Sequence, residues 1–95
     1  MVIIAGHLEV DAGARDQYVT AHEDLVRARQ AARCRDLAIT ADALDPTRVG
    51  DLERWQSTER LDARRAVARA PDTGINVRSA DVMSHVVSDV RPPFG

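Results

Sequence analysis

The fold is decided by the stretch Asp51-Leu52-Glu53-Arg54-Trp55-Gln56-Ser57-Thr58-Glu59-Arg60-Leu61, where a predicted strand runs directly into the start of a helix. Successive side chains of a strand point to opposite faces of the sheet. Asp51, Glu53 and Trp55 therefore share one face. A face that combines two carboxylates with the only tryptophan of the chain suits the floor of a pocket, and it equally suits a solvated face with one partly exposed ring.

The elements around this stretch predict an α+β fold. In order they are a strand at 2–10, a helix at 11–32 with Asp11 as its N-cap, a strand at 34–43, a turn at 45–48, the strand through Trp55, a helix from Ser57 or Thr58 to 70, and a strand at 81–90. This β-α-β-β-α-β order is ferredoxin-like, with a four-stranded antiparallel sheet and both helices on one face. The second helix has two weakly apolar faces, and the sequence does not decide which one is buried.

The length and composition predict one small domain over residues 1–95, with 91–95 as a C-terminal tail. The first and last strands are apolar on both faces, so we expect a homodimer in which a second copy covers the helix-free face. All 13 positive residues are scattered Arg and the net charge is -2, which argues against nucleic acid as a partner. The apolar start at 2–5 is too short for a signal peptide or a membrane span, so we expect a cytoplasmic protein, and the Arg- and Ala-rich composition is typical of bacteria.

The first helix carries a stripe of residues that faces the sheet. Tyr18, His22, Leu25 and Arg29 recur at steps of three and four residues, with His22 and Arg29 near the middle. His22 is a candidate general base, or a core histidine bonded to a backbone carbonyl. Arg29 either pairs with a substrate anion or forms an ion pair with Glu53 or Asp51. Tyr18 either donates its hydroxyl to a substrate or closes the end of the core.

The remaining reactive side chains do not form a recognisable metal or nucleophile site. The three histidines lack the spacing of metal ligands, so no metal is expected. His7 and His85 fall on strands and are expected to face the dimer partner. Cys34 has no base near it in the sequence, which favours a small buried side chain over a nucleophile, and a single cysteine excludes an intrachain disulfide.

Taken together and in order, these features resemble the antibiotic biosynthesis monooxygenase family. The resemblance covers nearly all of the chain, and it is carried by the opening strand 2–10, the helix start from Arg15-Asp16 to Tyr18, Cys34, and Glu53-Arg54-Trp55 followed by Leu61. It implies a dimeric α+β barrel with a pocket between the helices and the sheet. It also implies an oxygenase that uses dioxygen, without metal or flavin, to convert phenolic polycyclic or quinol-type aromatic compounds to quinones.

The resemblance also assigns roles to individual positions. In the polyketide oxygenases, an Asn four residues before the Trp and the Trp itself hold the substrate oxygen; the matching residues are Asp51 and Trp55. An ionised Asp cannot donate a hydrogen bond as Asn does, but it can accept a proton. The position of the iron-ligating His in the haem-degrading branch is Arg64, which cannot ligate iron at ordinary pH.

The predicted site therefore has two groups of residues. His22, Asp51 and Trp55 are the candidate catalytic residues, and the candidate substrate contacts are Tyr18, Arg29, Glu53 and Arg64. The reaction needs a base, donors for the anion and an apolar cavity, and it requires no cofactor because the substrate supplies the electrons. Two alternatives remain open at this point: a non-catalytic ligand-binding or scaffolding protein of the same fold, and a haem-binding or haem-degrading protein.

Overall fold

The computed structural model describes residues 1–31, 36–67 and 73–94. Its elements are β1 (Val2–Val10), a 3-10 turn (Ala12–Ala14), α1 (Arg15–Ala21), α2 (Glu23–Ala31), β2 (Asp36–Ala41), β3 (Arg48–Trp55), α3 (Thr58–Val67) and β4 (Val77–Val86). The four strands form one sheet in the order β2-β3-β1-β4, and every neighbouring pair is antiparallel. This confirms the predicted ferredoxin-like α+β fold.

The core lies between one face of the sheet and the helices. In the register of β1 against β3, Val2 is opposite Trp55 and Ile4 is opposite Glu53, so these side chains share the helix-covered face. Val2, Ile4 and Trp55 are buried together with Leu37 of β2 and Leu61 of α3. Burial of this apolar surface is the main favourable term that holds the helices on the sheet.

The buried face of α3, which the sequence left undecided, is the face that carries Leu61. Leu61 is buried in the core, whereas Ala63 is exposed. Ser57 caps the helix, because its hydroxyl oxygen accepts a hydrogen bond from the amide of Arg60 at 3.2 Å. The predicted end of this helix at residue 70 lies outside the described residues.

The prediction of one continuous helix over 11–32 is wrong, because the helical segment breaks at His22. The His22 backbone has φ −95° and ψ 0°. Its ring Nδ1 donates to the carbonyl oxygen of Tyr18 at 2.8 Å, which is the acceptor that the amide of residue 22 would use in an α-helix. That amide instead donates to Val19 O at 3.1 Å. The predicted N-cap, Asp11, makes no side-chain capping hydrogen bond.

The last strand also departs from its predicted limits. β4 spans Val77–Val86 rather than 81–90. Val77 already pairs with Val10, and Val86 pairs with Val2, where β1 begins. The alternation of apolar residues continues to Val90, but beyond Val86 only Met1 precedes β1, and its carbonyl oxygen accepts one last hydrogen bond from the amide of Val87 at 2.9 Å. The partner strand therefore sets the end of β4, and the side-chain pattern of β4 does not.

The hairpin between β2 and β3 is tied to α1. Asp42 Oδ2 accepts hydrogen bonds from the amides of Leu44 at 3.0 Å and Asp45 at 2.7 Å, which lowers the pKa of Asp42. Arg15 Nη1 donates to the carbonyl oxygens of Asp42 at 3.0 Å and Asp45 at 2.9 Å. These bonds fix the first turn of α1 over the β2–β3 hairpin and so position the side chains that follow.

In the described part of the chain, no helix covers the second face of the sheet. Ile3, Ala5 and His7 of β1 point to this side, and the register places His85 opposite Ile3. Leu52 is 45% exposed and Met83 is 59% exposed on the same face. β1 thus carries apolar side chains on both faces: the helices cover one face, and the other face is open. The homodimer that would cover the open half remains a prediction.

Candidate active site

A cavity of about 160 Å³ lies between the helices and the sheet and is partly open to solvent. Its apolar wall consists of Leu8, Leu25, Leu37, Ile39 and Val49. In the sheet, Asp51 on β3 is opposite Gly6 on β1, where β1 and β4 approach each other closely. Gly6 cannot be replaced by a larger residue: its φ is +154°, and a Cβ would lie 1.9 Å from the carbonyl oxygen of Asp81.

The polar side of the cavity is formed by Tyr18, His22 and Arg29 of the helical segment and by Asp51 and Glu53 of β3. All five are residues that the sequence singled out. Asp51 and Glu53 share a face because they are two residues apart on a strand, and the three helical residues share a face despite the break at His22. The structure therefore brings two carboxylates, an imidazole, a guanidinium and a phenol to one partly enclosed space.

His22 has the tautomer of a potential base. It is 5% exposed. Because a carbonyl oxygen can only accept, the 2.8 Å contact with Tyr18 O requires Nδ1 to carry the hydrogen. In the neutral ring the lone pair is then on Nε2. Of the two alternatives predicted for this residue, the hydrogen bond to a backbone carbonyl is present, and the ring lines the cavity. The role of general base stays a prediction.

Arg29, Glu53 and Trp55 form one network. Arg29 Nη1 pairs with Glu53 Oε1, and both side chains are mostly buried. The same Oε1 accepts a hydrogen bond from Trp55 Nε1 at 3.3 Å, and the Arg29 guanidinium carbon lies 6.0 Å from the centre of the Trp55 ring. Of the roles predicted for Arg29, the ion pair with Glu53 is present. Glu53 thereby fixes the orientation of Arg29 at the cavity.

Asp51 is the most perturbed acid of the site. Burial, and next the negative charge of Glu53, raise its pKa from 3.8 to about 6, although the positive charges of Arg29 and His22 act in the opposite direction. In the described part of the chain, its Oδ1 is buried without a hydrogen-bond partner. Asp51 therefore changes charge near pH 6.

Tyr18 remains protonated at physiological pH. Burial, and secondarily the charge of Asp51, raise the pKa of its phenol above the usual value of 10.0. Its ring packs against the His22 ring with a centroid distance of 4.3 Å. A protonated phenol is a hydrogen-bond donor, which is what a developing anion in the cavity would require.

Three other residues from the sequence analysis are not placed at the cavity by the structure. Trp55, expected to border the pocket, is 2% exposed and lies outside the cavity lining, in the core with Val2 and Leu61. The side chain of Arg64 lies outside the described residues, and so does Cys34.

Sequence reasoning missed the part of the wall that β2 contributes. Leu37 and Ile39 line the cavity because the hairpin register places them opposite Glu53 and Asp51. Their alternation in the sequence indicated a strand. Their pairing with Asp51 and Glu53 depends on the register of the hairpin, which is set by the geometry of the turn and cannot be derived from the alternation.

In residues 1–31, 36–67 and 73–94, no group of three His, Cys, Asp or Glu side chains is arranged to hold a metal ion. None of the helices in that part of the chain has the length and apolar character needed to cross a bilayer.

Solved structures share this fold. A proposed antibiotic biosynthesis monooxygenase from Deinococcus radiodurans matches with a TM-score of 0.84, 16% identity and 100% coverage of both chains. Another from Chloroflexus aurantiacus gives a TM-score of 0.72 and 16% identity, with 96% of each chain covered. The heme-degrader MhuD from Mycobacterium tuberculosis, with two hemes bound in its active site, gives 0.63 and 20% identity over 96% of this chain and 100% of that one. No protein-family model matches the sequence, and no curated protein does. The chain therefore has the fold of the antibiotic biosynthesis monooxygenases, as the sequence resemblance predicts.

Proposed function

We propose that this protein is a cofactor-independent monooxygenase that oxidises a phenolic or quinol-type aromatic ring to a quinone. The observation that carries the proposal is the placement of His22, Asp51 and Arg29 around one partly enclosed, largely apolar cavity. These are the parts that deprotonation of an electron-rich ring requires: a base, a carboxylate beside it and a cation for the anion. The likeness of fold to antibiotic biosynthesis monooxygenases supports the same reading by analogy.

The chemistry balances without a cofactor. For a phenol with a hydrogen at the reacting carbon, His22 Nε2 takes the hydroxyl proton, and the negative charge spreads into the ring. Dioxygen adds to that carbon to give a peroxide of the substrate. Loss of water from the peroxide leaves a carbonyl, so one oxygen atom enters the ring and the other leaves as water with two substrate hydrogens. The substrate supplies all of the electrons.

Each polar side chain of the cavity has a part in this scheme. Asp51, ionised above about pH 6, stabilises the imidazolium that forms on His22. Arg29, held by Glu53, stabilises the aromatic anion, and the protonated Tyr18 donates a hydrogen bond to it. The apolar wall reduces the access of water on its side of the cavity, which strengthens these interactions. Trp55 acts through Glu53 and Arg29 as a positioning residue.

The proposed active form is a homodimer. The helix-free face of the sheet exposes Leu52 and Met83, and it carries His7 and His85. Packing of two such faces about a two-fold axis would remove this apolar surface from water and leave the cavity of each copy on the outer, helical side.

The direct test is oxygen uptake by the purified protein with an anthrone or a quinol, in the presence of a metal chelator. We expect consumption above the buffer rate. The matched control is Asp24→Ala, at an exposed position of α2 outside the cavity, which should retain the activity. Absence of enzyme-dependent uptake with every compound of such a panel would contradict the monooxygenase proposal.

One observation favours the second candidate, a non-catalytic ligand-binding protein of the same fold. Polar groups of the cavity already hold internal bonds: His22 Nδ1 to a carbonyl, and Arg29 to Glu53, which also accepts a hydrogen bond from Trp55 in the core. Such a network suits a rigid binding cavity. Saturable binding of an aromatic ligand without oxygen uptake would identify this second function.

A further inference from the structure

α1 is the part of the cavity wall that the core holds least firmly. It has seven residues, Arg15–Ala21, and none of them is buried. By contrast, Leu61 of α3 belongs to the core cluster, and Val26 of α2 packs against that cluster. A helix of this length is marginal by itself in water, because its few hydrogen bonds do not offset the cost of forming the first turn. The position of α1 therefore depends on a small number of specific contacts.

The backbone is irregular at both ends of α1. Before it lies the 3-10 turn Ala12–Ala14, and Ala14 occupies the N-cap position of α1 without a side-chain capping hydrogen bond. After it comes the break at His22, whose amide donates to Val19 O, whereas His22 O already accepts from the amide of Val26 in α2. Hinge residues commonly lie at the ends of elements, where they absorb changes in φ and ψ. Both ends of α1 have this character.

Unfilled space lies on both sides of α1. Tyr18 lines the cavity of about 160 Å³ on one side. The next residue, Val19, lines a second and more open groove of about 330 Å³ beside the edge strand β2, together with Val26 and Ile39. Protein interiors are close-packed, so an element moves readily only where such space exists. α1 can therefore shift without displacing the side chains of the core.

A polar contact fixes α1 to the hairpin between β2 and β3. Arg15 Nη1 donates to the carbonyl oxygens of Asp42 at 3.0 Å and Asp45 at 2.9 Å, and the Arg15 side chain is 20% exposed. Hydrogen bonds from a charged donor are stronger than those between neutral groups. The hairpin is held independently of α1, because the Asp42 and Asp45 carboxylates accept from amides of the turn itself. Its two carbonyl oxygens thus form a fixed acceptor for Arg15.

This contact is linked to the polar side of the cavity. Tyr18 follows Arg15 by three residues, so the two side chains lie on the same side of α1. The Tyr18 ring contacts the His22 ring with a centroid distance of 4.3 Å, and Tyr18 O accepts the hydrogen bond from His22 Nδ1. A rotation of α1 away from the hairpin would carry Tyr18 outward and open the cavity beside His22.

We propose that α1 is a movable wall of the cavity, hinged near Ala14 and His22, and that Arg15 holds this wall closed through the hairpin carbonyls. When the two hydrogen bonds of Arg15 break, α1 turns outward and the cavity opens to molecules from solvent. When they form again, Tyr18 returns to the cavity. Arg15 is a positioning residue and does not contact a ligand. The inference concerns access to the cavity and goes beyond the proposed function, because it applies equally to a catalytic cavity and to a binding cavity.

The first experiment measures amide hydrogen exchange in the wild-type protein at low urea concentrations. We expect the amides of residues 19–21 in α1 to exchange at least about tenfold faster than those of residues 26–29 in α2, with rates independent of urea, because local opening exposes little new surface. The amides of β1 and β3 should show the urea dependence of global unfolding. Equal protection and equal urea dependence in α1 and α2 would show one cooperative unit and overturn the proposal.

The second experiment assigns the closure of the wall to Arg15. In Arg15→Ala, exchange in α1 should rise by a further factor of about ten, while exchange in β1 and β3 stays within about twofold. Arg15→Lys should lie between the wild-type protein and Arg15→Ala, because an ammonium group lacks the planar fork of donors that the guanidinium offers to two carbonyls. Arg27→Ala, which removes an exposed arginine of α2, is the matched control and should leave α1 unchanged.

Two results would contradict this assignment. One is unchanged exchange in α1 of Arg15→Ala, and the other is an equal increase in all elements, which would indicate a loss of global stability. The measurement on the wild-type protein remains decisive if Arg15→Ala does not fold.

The third experiment tests access to the cavity with diethyl pyrocarbonate, a small reagent that acylates unprotonated imidazole nitrogens. His22 is 5% exposed and lines the cavity, so its modification depends on opening. Arg15→Ala should accelerate the modification of His22 by at least about tenfold. His7 and His85, on the helix-free face of the same molecule, are internal controls and should react at their wild-type rates. Mass spectrometry of peptides measures each site separately.

A core substitution away from α1 separates opening of the wall from general loss of stability. Val2→Ala removes buried apolar volume but leaves the Arg15 contact intact, so it should leave the rate at His22 within about twofold. Equal rates at His22 in the wild-type protein and Arg15→Ala would overturn the proposal. An acceleration in Val2→Ala as large as that in Arg15→Ala would also overturn it.

These results are independent of turnover. Opening of α1 controlled by Arg15, without oxygen uptake with any compound, would support the movable wall and reject the monooxygenase. Oxygen uptake that requires His22, with equal protection of α1 and α2, would support the monooxygenase and reject the movable wall.

Discussion

The two faces of the sheet use similar residue types for different purposes. On the helix-covered face, Arg29 and Glu53 form an ion pair that is mostly buried, beside a cavity. On the open face, Arg54 and Asp36 pair at 2.8 Å, with 33% and 54% of their side chains exposed. A buried charge is held in place by its partner, whereas a surface pair is screened by water. Charges that matter for chemistry are therefore expected on the covered face, and residues that matter for association are expected on the open one.

The largest expected effect is on the free energy of unfolding, and it differs between the two ion pairs. Glu53→Ala leaves the Arg29 charge buried without its partner and should destabilise the fold by about 3–5 kcal/mol. Asp36→Ala on the open face should cost about 1 kcal/mol or less. Urea unfolding of both variants measures the difference. Similar decreases in the free energy of unfolding for the two substitutions would contradict the proposed difference between the faces.

A charge placed on the open face tests its proposed role in association. Leu52→Asp would bury an unpaired carboxylate in the proposed homodimer interface and should raise the dimer dissociation constant by at least about 100-fold, since such burial costs several kcal/mol. Leu44→Asp at the exposed hairpin tip is the control and should leave association unchanged. Sedimentation equilibrium reports both. A wild-type protein that is monomeric at micromolar concentration would reject the homodimer.

Substitution of one histidine on each face compares the contributions of the two faces to turnover. His22→Ala should reduce turnover of an oxidisable phenol by about 100-fold, the usual scale for loss of a general base. His85→Ala on the open face, measured where the variant is dimeric, should leave the rate per dimer within about twofold. Equal rates for the wild-type protein and His22→Ala would remove His22 from the proposed mechanism.

The smallest effect concerns the pH dependence of stability. The pKa of Asp51 is raised to about 6 in the folded protein, from 3.8. Between about pH 4 and 6 the folded state therefore keeps a proton that the unfolded state loses, so the contribution of Asp51 to stability falls as the pH rises through this window.

Asp51→Asn removes this titration. The variant should be more stable than the wild-type protein at pH 7, and the difference in melting temperature should disappear near pH 4. Asp24→Asn, at an exposed position of α2, provides the matched control. A constant difference across the whole pH range would contradict a raised pKa at Asp51.

The pattern along β3 illustrates what the sequence can predict. Alternation alone placed Asp51, Glu53 and Trp55 on one face, and helical spacing placed Tyr18, His22 and Arg29 on one stripe. The structure brings five of these six residues to the cavity. Both patterns predict the shared faces correctly because the backbone sets the periods of a strand and a helix. A local irregularity such as the break at His22 does not change which side chains face the sheet.

The features that the sequence did not predict depend on partners distant in the chain. β4 ends at Val86 because β1 begins opposite it, although the apolar alternation continues. Trp55 lies in the core rather than at the cavity because Leu61 and Val2 pack around the end of its strand. The wall from Leu37 and Ile39 depends on the hairpin register. None of these pairings is encoded in the local pattern of the segment concerned.

The most direct test of the account is a crystal structure with hydroquinone bound under anaerobic conditions. We expect the ring in the cavity between the helices and the sheet, with one hydroxyl within hydrogen-bond distance of His22 Nε2. A ring bound on the helix-free face, or a cavity filled by protein side chains, would contradict it.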